Sequence, residues 1–338
     1  MTNDATSILQ KLENQHVLII GDLMLDRYLT GSVSRISPEA PVPVVLHQHT
    51  DDRLGGAANV ALNVRALGSQ PMLCSVVGDD ADGAIFQQTL DAQGISAEGI
   101  VRSGSRRTTV KTRVLGNNQQ MLRIDREDTH ELSSEEERQL LDRYRTLLDT
   151  HEVQAVILQD YNKGVLTPAV IEAVIAEARQ RNILTAVDPK KANFFAYRGV
   201  TLFKPNLKEI RDSAPFGVQA QPESLRQAAA YLHERLGNSL TMITLSEKGL
   251  YLGDGSHGTL HPTIARNVAD VSGAGDTVIS VASLALAAGL DWGIVAALSN
   301  LAGGQVCESP GVVSVDRAVL ERELGEWLAS GLMRVDKS

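Results

Sequence analysis

Short apolar runs alternate with longer segments of helical spacing along the chain. Val17–Ile20 (VLII) has the unbroken apolar character of a buried strand. Gly56–Gly68 (GAANVALNVRALG) has helical spacing and stops at a glycine, and Pro71–Gly78 (PMLCSVVG) reads as strand again. Ala81–Gly94 reads as a helix with a glycine stop. Ser133 with Glu136, or Ser134 with Glu137, offers a capping box ahead of the apolar positions of QLLDRYRTLL. Ala155–Leu158 reads as strand, and Thr167-Pro168 supplies an N-cap with a proline at the first helical position. The runs ILTAVD, TLFKPN and LTMITLSEKG repeat the strand-then-loop pattern. This rhythm predicts an α/β fold, a doubly wound and mostly parallel sheet flanked by helices.

Two stretches break the rhythm. Thr30–His49 holds three prolines among β-branched residues, and Arg106–Asp125 alternates around a Gly-Asn-Asn turn. Both read as extended strands outside the main sheet, either plain surface hairpins or a small β lid over one end. The absence of repeats and linkers favours a single domain over 1–338, with the lid from about 30–49 and 105–126.

Composition narrows the class. With 338 residues, 43% hydrophobic and 22% charged, the chain is neither disordered nor a disulfide scaffold. The formal charge of −9 argues against nucleic acid and anionic membrane as partners. Cys74 and Cys307 have no metal-type spacing, which fits a reducing cytosol. No basic segment leads into an apolar core at the start, and the apolar stretch Val278–Leu290 is too short for a membrane span. A cytoplasmic protein without a membrane partner is expected.

Three groups of residues carry chemistry. Asp270-Val-Ser-Gly-Ala-Gly-Asp276-Thr277 opens the apolar helix. Its glycines let backbone N–H groups approach an anion at a helix N-terminus, and a carboxylate there can take a proton from an attacking hydroxyl. A plain glycine-rich turn explains the same residues. The third glycine of a dinucleotide fingerprint is absent, and no GxxxxGK[ST] loop exists, which removes P-loop chemistry. Asp22 and Asp26 follow the first strand, and Gly55-Gly56-Ala-Ala-Asn59 opens the next helix, at strand ends suited to sugar hydroxyls. Asn206 and Glu209, three apart, share one face of a helical turn and suit magnesium-bound water or phosphate.

In this order and at these distances, GD…D, GGAAN, NxxE, TLSEKG and DVSGAGDT resemble the PfkB/ribokinase family of sugar kinases over nearly the whole chain. Gly21–Val45, Gly55–Gly68 and Gln120–Asp128 are further similar to the branch that acts on heptose 7-phosphate in ADP-heptose synthesis. That branch includes bifunctional proteins with a nucleotidyltransferase domain, whose HxGH-type motif is absent here, so a kinase standing alone is expected. The resemblance implies a ribokinase-like fold and transfer of the ATP γ-phosphate to O1 of D-glycero-β-D-manno-heptose 7-phosphate, for the lipopolysaccharide inner core. It implies Asp276 as base and Gly273, Ala274 and Gly275 as the anion hole. Asn206 and Glu209 would serve Mg2+ and phosphate. Ser246, Lys248 and Gly249 would form the nucleotide-side loop, and Asn300 and Gly303 the adenine wall. Asp22, Asp26, Gly55, Gly56 and Asn59 would bind sugar. Asp270 and Ser272, with backbone oxygens of the 306–315 loop, would hold a monovalent cation such as K+. A homodimer through the β lids is also implied.

The second phosphate of such a substrate needs basic anchors. Lys111, Arg113 and Arg123 lie on the lid strands, and Lys163 follows the strand ending near Asp160. Lys111 and Arg113 point to one face by period two. Another PfkB sugar kinase, or a non-catalytic sugar-phosphate sensor on the same scaffold, are the competing readings.

Overall fold

The structure is a computed structural model and describes residues 4–330. Helix α1 (Ala5–Gln10) precedes β1 (His16–Gly21), which passes through Asp22 into β2 (Leu23–Ile36), β3 (Pro43–Gly56) and α2 (Ala57–Ala66). Then come β4 (Gln70–Gly78), α3 (Ala81–Ala92), β5 (Gly99–Ser103), β6 (Thr109–Gly116), β7 (Gln119–Arg126) and α4 (Ser134–Thr150). Strand β8 (Val153–Gln159), α5 (Pro168–Gln180), β9 (Leu184–Asp188), β10 (Leu202–Phe203), α6 (Leu207–Ser213) and α7 (Pro222–Leu236) follow. The last segment holds β11 (Leu240–Thr244), β12 (Leu250–Gly253), β13 (Gly258–His261), α8 (Ala274–Ala287), α9 (Trp292–Val306) and α10 (Arg317–Ala329).

The main sheet has the order β13-β12-β11-β10-β9-β8-β1-β4-β5, parallel from β5 to β11, with β12 and β13 added antiparallel. The chain runs from β1 outward to β4 and β5, then returns to build β8 to β11 on the other side of β1. The β1–β8 boundary is therefore the topological switch point, where ligands collect beyond the carboxyl ends of the strands. Alternate strand residues feed two cores. Val17, Ile19, Ala155, Ile157 and Ala186 join α2, α8 and α9 on one face. Leu18, Ile20, Val156, Leu158 and Val187 join α4, α5 and α7 on the other. Burial on both faces explains why these strands read as continuous apolar runs.

The expected caps form. Ser133 and Glu136 make the capping box of α4, and Thr167 caps α5 with Pro168 in its first turn.

The lid is a second sheet with order β3-β2-β6-β7. It is larger than the sequence pattern predicts. Its first hairpin starts at Leu23 and closes at Gly56, paired from Leu23↔Gly56 out to Ile36↔Pro43. Near its root Leu23, Met24, Leu25 and Asp26 are all buried, which hides the alternation that marks a strand. Pro38 and Pro41 fall in the turn and Pro43 opens the edge strand β3, where a missing N–H costs no ladder bond. Ile36, Leu46, Leu122 and Ile124 are exposed on this sheet.

Candidate active site

Gly273 ends the approach to α8 in the left-handed region at φ 81°. A side chain there would meet the Asn59 amide nitrogen at 2.8 Å, so backbone and amide can touch only because the residue is glycine. Ala274, Gly275 and Asp276 form the first turn of α8, at the positive end of the helix dipole; the Ala274 N–H turns back to the Val271 carbonyl at 3.3 Å, and the first-turn N–H groups lack intrahelical acceptors. The remainder of α8 is anchored by Val278, Ile279, Val281, Ala282 and Leu284 in the core, which fixes that turn in place.

Asp276 is 3% exposed. Its Oδ2 accepts from Asn59 Nδ2 at 2.8 Å, and its Oδ1 accepts from the Tyr161 hydroxyl at 2.7 Å and Gln159 Nε2 at 3.0 Å. Burial pushes its carboxyl up to about 6; the Asn59 and Tyr161 hydrogen bonds and Lys204 pull it down, and Asp188 adds to the rise. A carboxylate poised near neutrality beside a helix N-terminus has the makeup of a general base.

Gln159 and Tyr161 do not stand out in the sequence. A signal for the first is nonetheless present: Ala155, Ile157 and Gln159 alternate onto one face of β8, so a glutamine stands on a core-facing position at the strand's carboxyl end. Its register partner is Asp188 at the end of β9. Lys204 Nζ, 2% exposed as a residue, lies 3.0 Å from Asp188 Oδ2, and Lys190 lies 3.4 Å from Oδ1. Both lysines hold the Asp188 carboxyl low against its burial. Lys190 also pairs with Glu209 at 2.6 Å.

Asn206 and Glu209 form the capping box of α6: Asn206 accepts from Glu209 N at 2.9 Å, and Glu209 accepts from Asn206 N at 2.7 Å. Their spacing therefore serves a helix cap first. With one hydrogen bond on each carboxylate oxygen, Glu209 retains lone pairs for metal-bound water.

The sugar-side residues divide. The Asp22 carboxylate, 1% exposed, accepts backbone N–H groups of Tyr161, Lys163 and Val165 and shapes that loop. Burial, with Asp160 nearby, raises it to about 6. Asp160 is likewise spent on Asn162 N and the Tyr197 hydroxyl, and burial raises it too. Asn59 is turned to Asp276. Gly56, at φ 61°, carries its Cα against the Asp22 carbonyl, where a Cβ would lie 2.4 Å from the oxygen. Gly55 leaves room for Asp26, whose Oδ2 would be 2.3 Å from a Cβ.

Asp26 is 4% exposed and pairs with Arg113 across the lid. Asp26↔Lys111 and Tyr28↔Arg113 are register partners, so these four share the lid's polar face. Arg53 and Arg113 lie over the Tyr28 ring, 4.6 and 5.2 Å from its centroid. Lys111 is held by Asp125 at 3.3 Å and Glu127 at 3.2 Å, and Lys163 by Glu127 at 2.7 Å. Arg123 is half-exposed and pairs with Asp125 two residues along its own strand. Arg106 has spare capacity. Arg106 is buried, its Nη1 has no partner, and it lines a narrow pocket with Arg107, Lys163 and Asp22.

Of the residues expected at the nucleotide, Ser246 and Lys248 are exposed in a short 3-10 turn after β11. Gly249 serves the backbone: at φ 90° its Cβ would lie 2.0 Å from the His261 carbonyl oxygen. Asn300 donates to the Pro262 carbonyl at 2.8 Å and, with His261, Thr263, Ile264 and Trp327, lines a cavity of about 170 Å3. Gly303 does not line this cavity. It lets α9 approach α8, where a Cβ would lie 2.7 Å from Val278 Cγ2. Asp270 accepts from Ser272 N at 2.9 Å and Gly311 N at 3.1 Å, and these bonds hold its carboxyl low against burial. It thus ties together the two loops expected to flank a monovalent cation.

The sequence matches the pfkB family carbohydrate kinase description over residues 14–317. The chain belongs to this family of ATP-dependent sugar kinases. It is 42% identical over 323 residues to the Bifunctional protein HldE of Citrifermentans bemidjiense, covering 95% of this chain and 66% of that protein. The chain therefore spans about two thirds of the length of such curated relatives. Phosphofructokinase-2 from Escherichia coli, solved in complex with potassium, superposes with a TM-score of 0.76 at 18% identity, covering 94% of this chain and 99% of that one. Ribokinase from Arabidopsis thaliana, complexed with ribose and ATP, gives 0.70 at 17%, covering 92% and 99%. The ribokinase-like α/β fold is thereby established.

Proposed function

We propose that the protein transfers the γ-phosphate of ATP to O1 of D-glycero-β-D-manno-heptose 7-phosphate, forming the 1,7-bisphosphate. The observation that carries the chemistry is Asp276: a buried carboxylate, fixed by three donors and raised toward neutrality, on the first turn of α8 at the positive end of the helix dipole. Asp276 takes the proton of the attacking hydroxyl. The N–H groups at Gly273–Gly275 stabilise charge on the transferring phosphoryl group. The lid's polar face covers the acceptor and excludes water.

The acceptor rests on the resemblance of Gly21–Val45 and Gln120–Asp128 to heptose-7-phosphate kinases and on identity of about 42% to bifunctional HldE proteins. Its 7-phosphate finds charge at Lys163, Arg106 and Arg107, with Lys111 and Arg113 on the lid above. Mg2+ would sit beyond Asn206 and Glu209, held through water, and would neutralise phosphate charge. Potassium would sit between the Asp270 and Gly311 loops. A second copy of the chain would cover Ile36, Leu46, Leu122 and Ile124 in a lid-to-lid homodimer. Among the described residues no helix is long and apolar enough to cross a membrane; a cytoplasmic site of action agrees with the pathway proposed.

An acceptor panel tests the reading. ADP release from Mg-ATP is followed with heptose 7-phosphate, fructose 1-phosphate, fructose 6-phosphate and ribose. The heptose should give kcat/KM at least about a hundredfold above the others. Preference for a fructose phosphate discards the acceptor and keeps the base. ATP binding without turnover on any acceptor favours a sensor.

A further inference from the structure

The buried amide of Gln159 stands between two carboxylates. Its Nε2 lies 3.0 Å from Asp276 Oδ1 and 3.4 Å from Asp188 Oδ2. The residue is fully buried, and its Oε1 has no partner. That orphan fixes the sense of the amide. Turned over, it would press an oxygen against two anionic groups and take one donor from each. An NH2 group has two protons, one for each carboxylate.

Five elements converge on this point. Strand β8 supplies Gln159 and, just beyond it, Tyr161; β9 supplies Asp188; the residue after β10 is Lys204; α2 supplies Asn59; α8 supplies Asp276. The charged and titratable groups around Asp276 are therefore Asp188, Lys204 and Tyr161, with Lys190 over the Tyr161 ring at 5.8 Å and Asp26 further out. Tyr161 is raised well above its ordinary range by burial and stays a neutral donor. Asp188 and Asp276 repel. A buried neutral donor bridging them lets both remain ionised and brings the base under the influence of the Lys204–Asp188–Lys190–Glu209 chain.

We infer that Gln159 is the positioning residue of this kinase: it orients the Asp276 carboxylate and favours its ionised form by donating to Asp276 and Asp188 together. The inference rests on Asp276 being the base and is independent of which sugar is the acceptor. The sheet register shows why the position is special: a polar residue is placed opposite Asp188 on a face otherwise built of Ala155, Ile157 and Ala186.

The test uses Gln159→Met, which keeps length and removes the donor, and Gln159→Glu, which keeps shape and adds a carboxyl group. The full-length variants are read in two ways. The first is the titration of the Asp276 carboxyl carbon in protein labelled with carboxyl-13C aspartate and free of substrates, assigned by comparison with Asp276→Asn. The second is the pH profile of kcat/KM with Mg-ATP and whichever acceptor the wild type turns over. In Gln159→Met the carboxyl should titrate about one pH unit higher, the acid limb should move with it, and kcat should fall about tenfold with KM for ATP unchanged. Gln159→Glu should move both further in the same direction. A folded Gln159→Met protein with wild-type titration and profile overturns the inference. So does a fall in kcat with no change in the titration, which marks a packing role alone. If Gln159→Met fails to fold, an unshifted titration in Gln159→Glu overturns it equally. Failure of heptose 7-phosphate as acceptor leaves the carbon titration intact, so the two readings fail separately.

Discussion

The Asn59 side-chain amide donates a 2.8 Å hydrogen bond to Oδ2 of Asp276 across 217 residues of sequence. Asn59 lies in the first turn of α2, which continues directly from the lid strand β3 through Gly55 and Gly56. The lid is thus linked mechanically to Asp276, the proposed base. Asn59→Leu removes that donor while keeping bulk. It should lower kcat by about ten- to a hundredfold with little change in KM for ATP, since the lost bond acts on the reacting centre. Steady-state kinetics with both substrates varied checks this; a wild-type kcat contradicts it.

Asp276 also leaves a mark on stability. Its folded value, about 6, lies above the ordinary 3.8, so between these values the folded state binds the proton more tightly than the unfolded state does. Unfolding free energy from this group therefore falls as pH rises from about 4 to 6, and the cost is complete above that. Asp276→Asn removes the titration. Relative to wild type, the variant should gain on the order of 3 kcal/mol between pH 4 and pH 7, at about 1.4 kcal/mol for each pH unit separating the folded and unfolded values. Denaturant melts of both proteins across this range measure the difference. A pH-independent difference contradicts the raised value.

Arg113 pairs with Asp26 across the lid and stacks on Tyr28, on the face proposed to cover the sugar phosphate. Arg113→Ala should raise KM for the sugar phosphate at least about tenfold and leave KM for ATP within about twofold. Breaking a pair this enclosed should also destabilise the protein by about 3 kcal/mol. Equal rises in both KM values would instead place Arg113 in lid closure.

Gly303 distinguishes packing from nucleotide binding. Gly303→Ala puts a methyl group 2.7 Å from Val278 Cγ2 at the α8–α9 contact. It should cost about 1–3 kcal/mol, read as a lower Tm, because overpacked cores shift or strain. KM for ATP should stay near wild type. A large rise in KM without loss of stability would return Gly303 to the adenine wall.

Local physics decides how much of this is legible in the sequence. The alternating strands and capped helices read directly, because Gly56, Thr167-Pro168 and Ser133 with Glu136 declare boundaries within a few residues. The Asp276 turn reads directly too, since its glycines answer a local backbone demand. The lid's root does not. Leu23–Asp26 are all buried, so no alternation shows until the strand leaves the core. The roles of Asp22 and Asn59 do not either, because each is decided by a partner far along the chain: the 161–165 backbone for one, Asp276 for the other. Spacing places Asn206 and Glu209 on one face correctly, but it does not distinguish a helix cap from a magnesium site, since both want an oxygen acceptor there. Gln159 is hidden because Gln159-Asp160 after AVIL looks like the polar end of a strand.

The most direct measurement is phosphorus NMR of Mg-ATP and D-glycero-β-D-manno-heptose 7-phosphate with wild type and Asp276→Asn in parallel. The account predicts a new anomeric phosphate resonance with wild type, growing as ATP becomes ADP, and at least about a thousandfold slower formation with Asp276→Asn, as loss of the base requires. Comparable turnover by the two proteins would contradict the role given to Asp276, and no anomeric phosphate with wild type would contradict the proposed reaction.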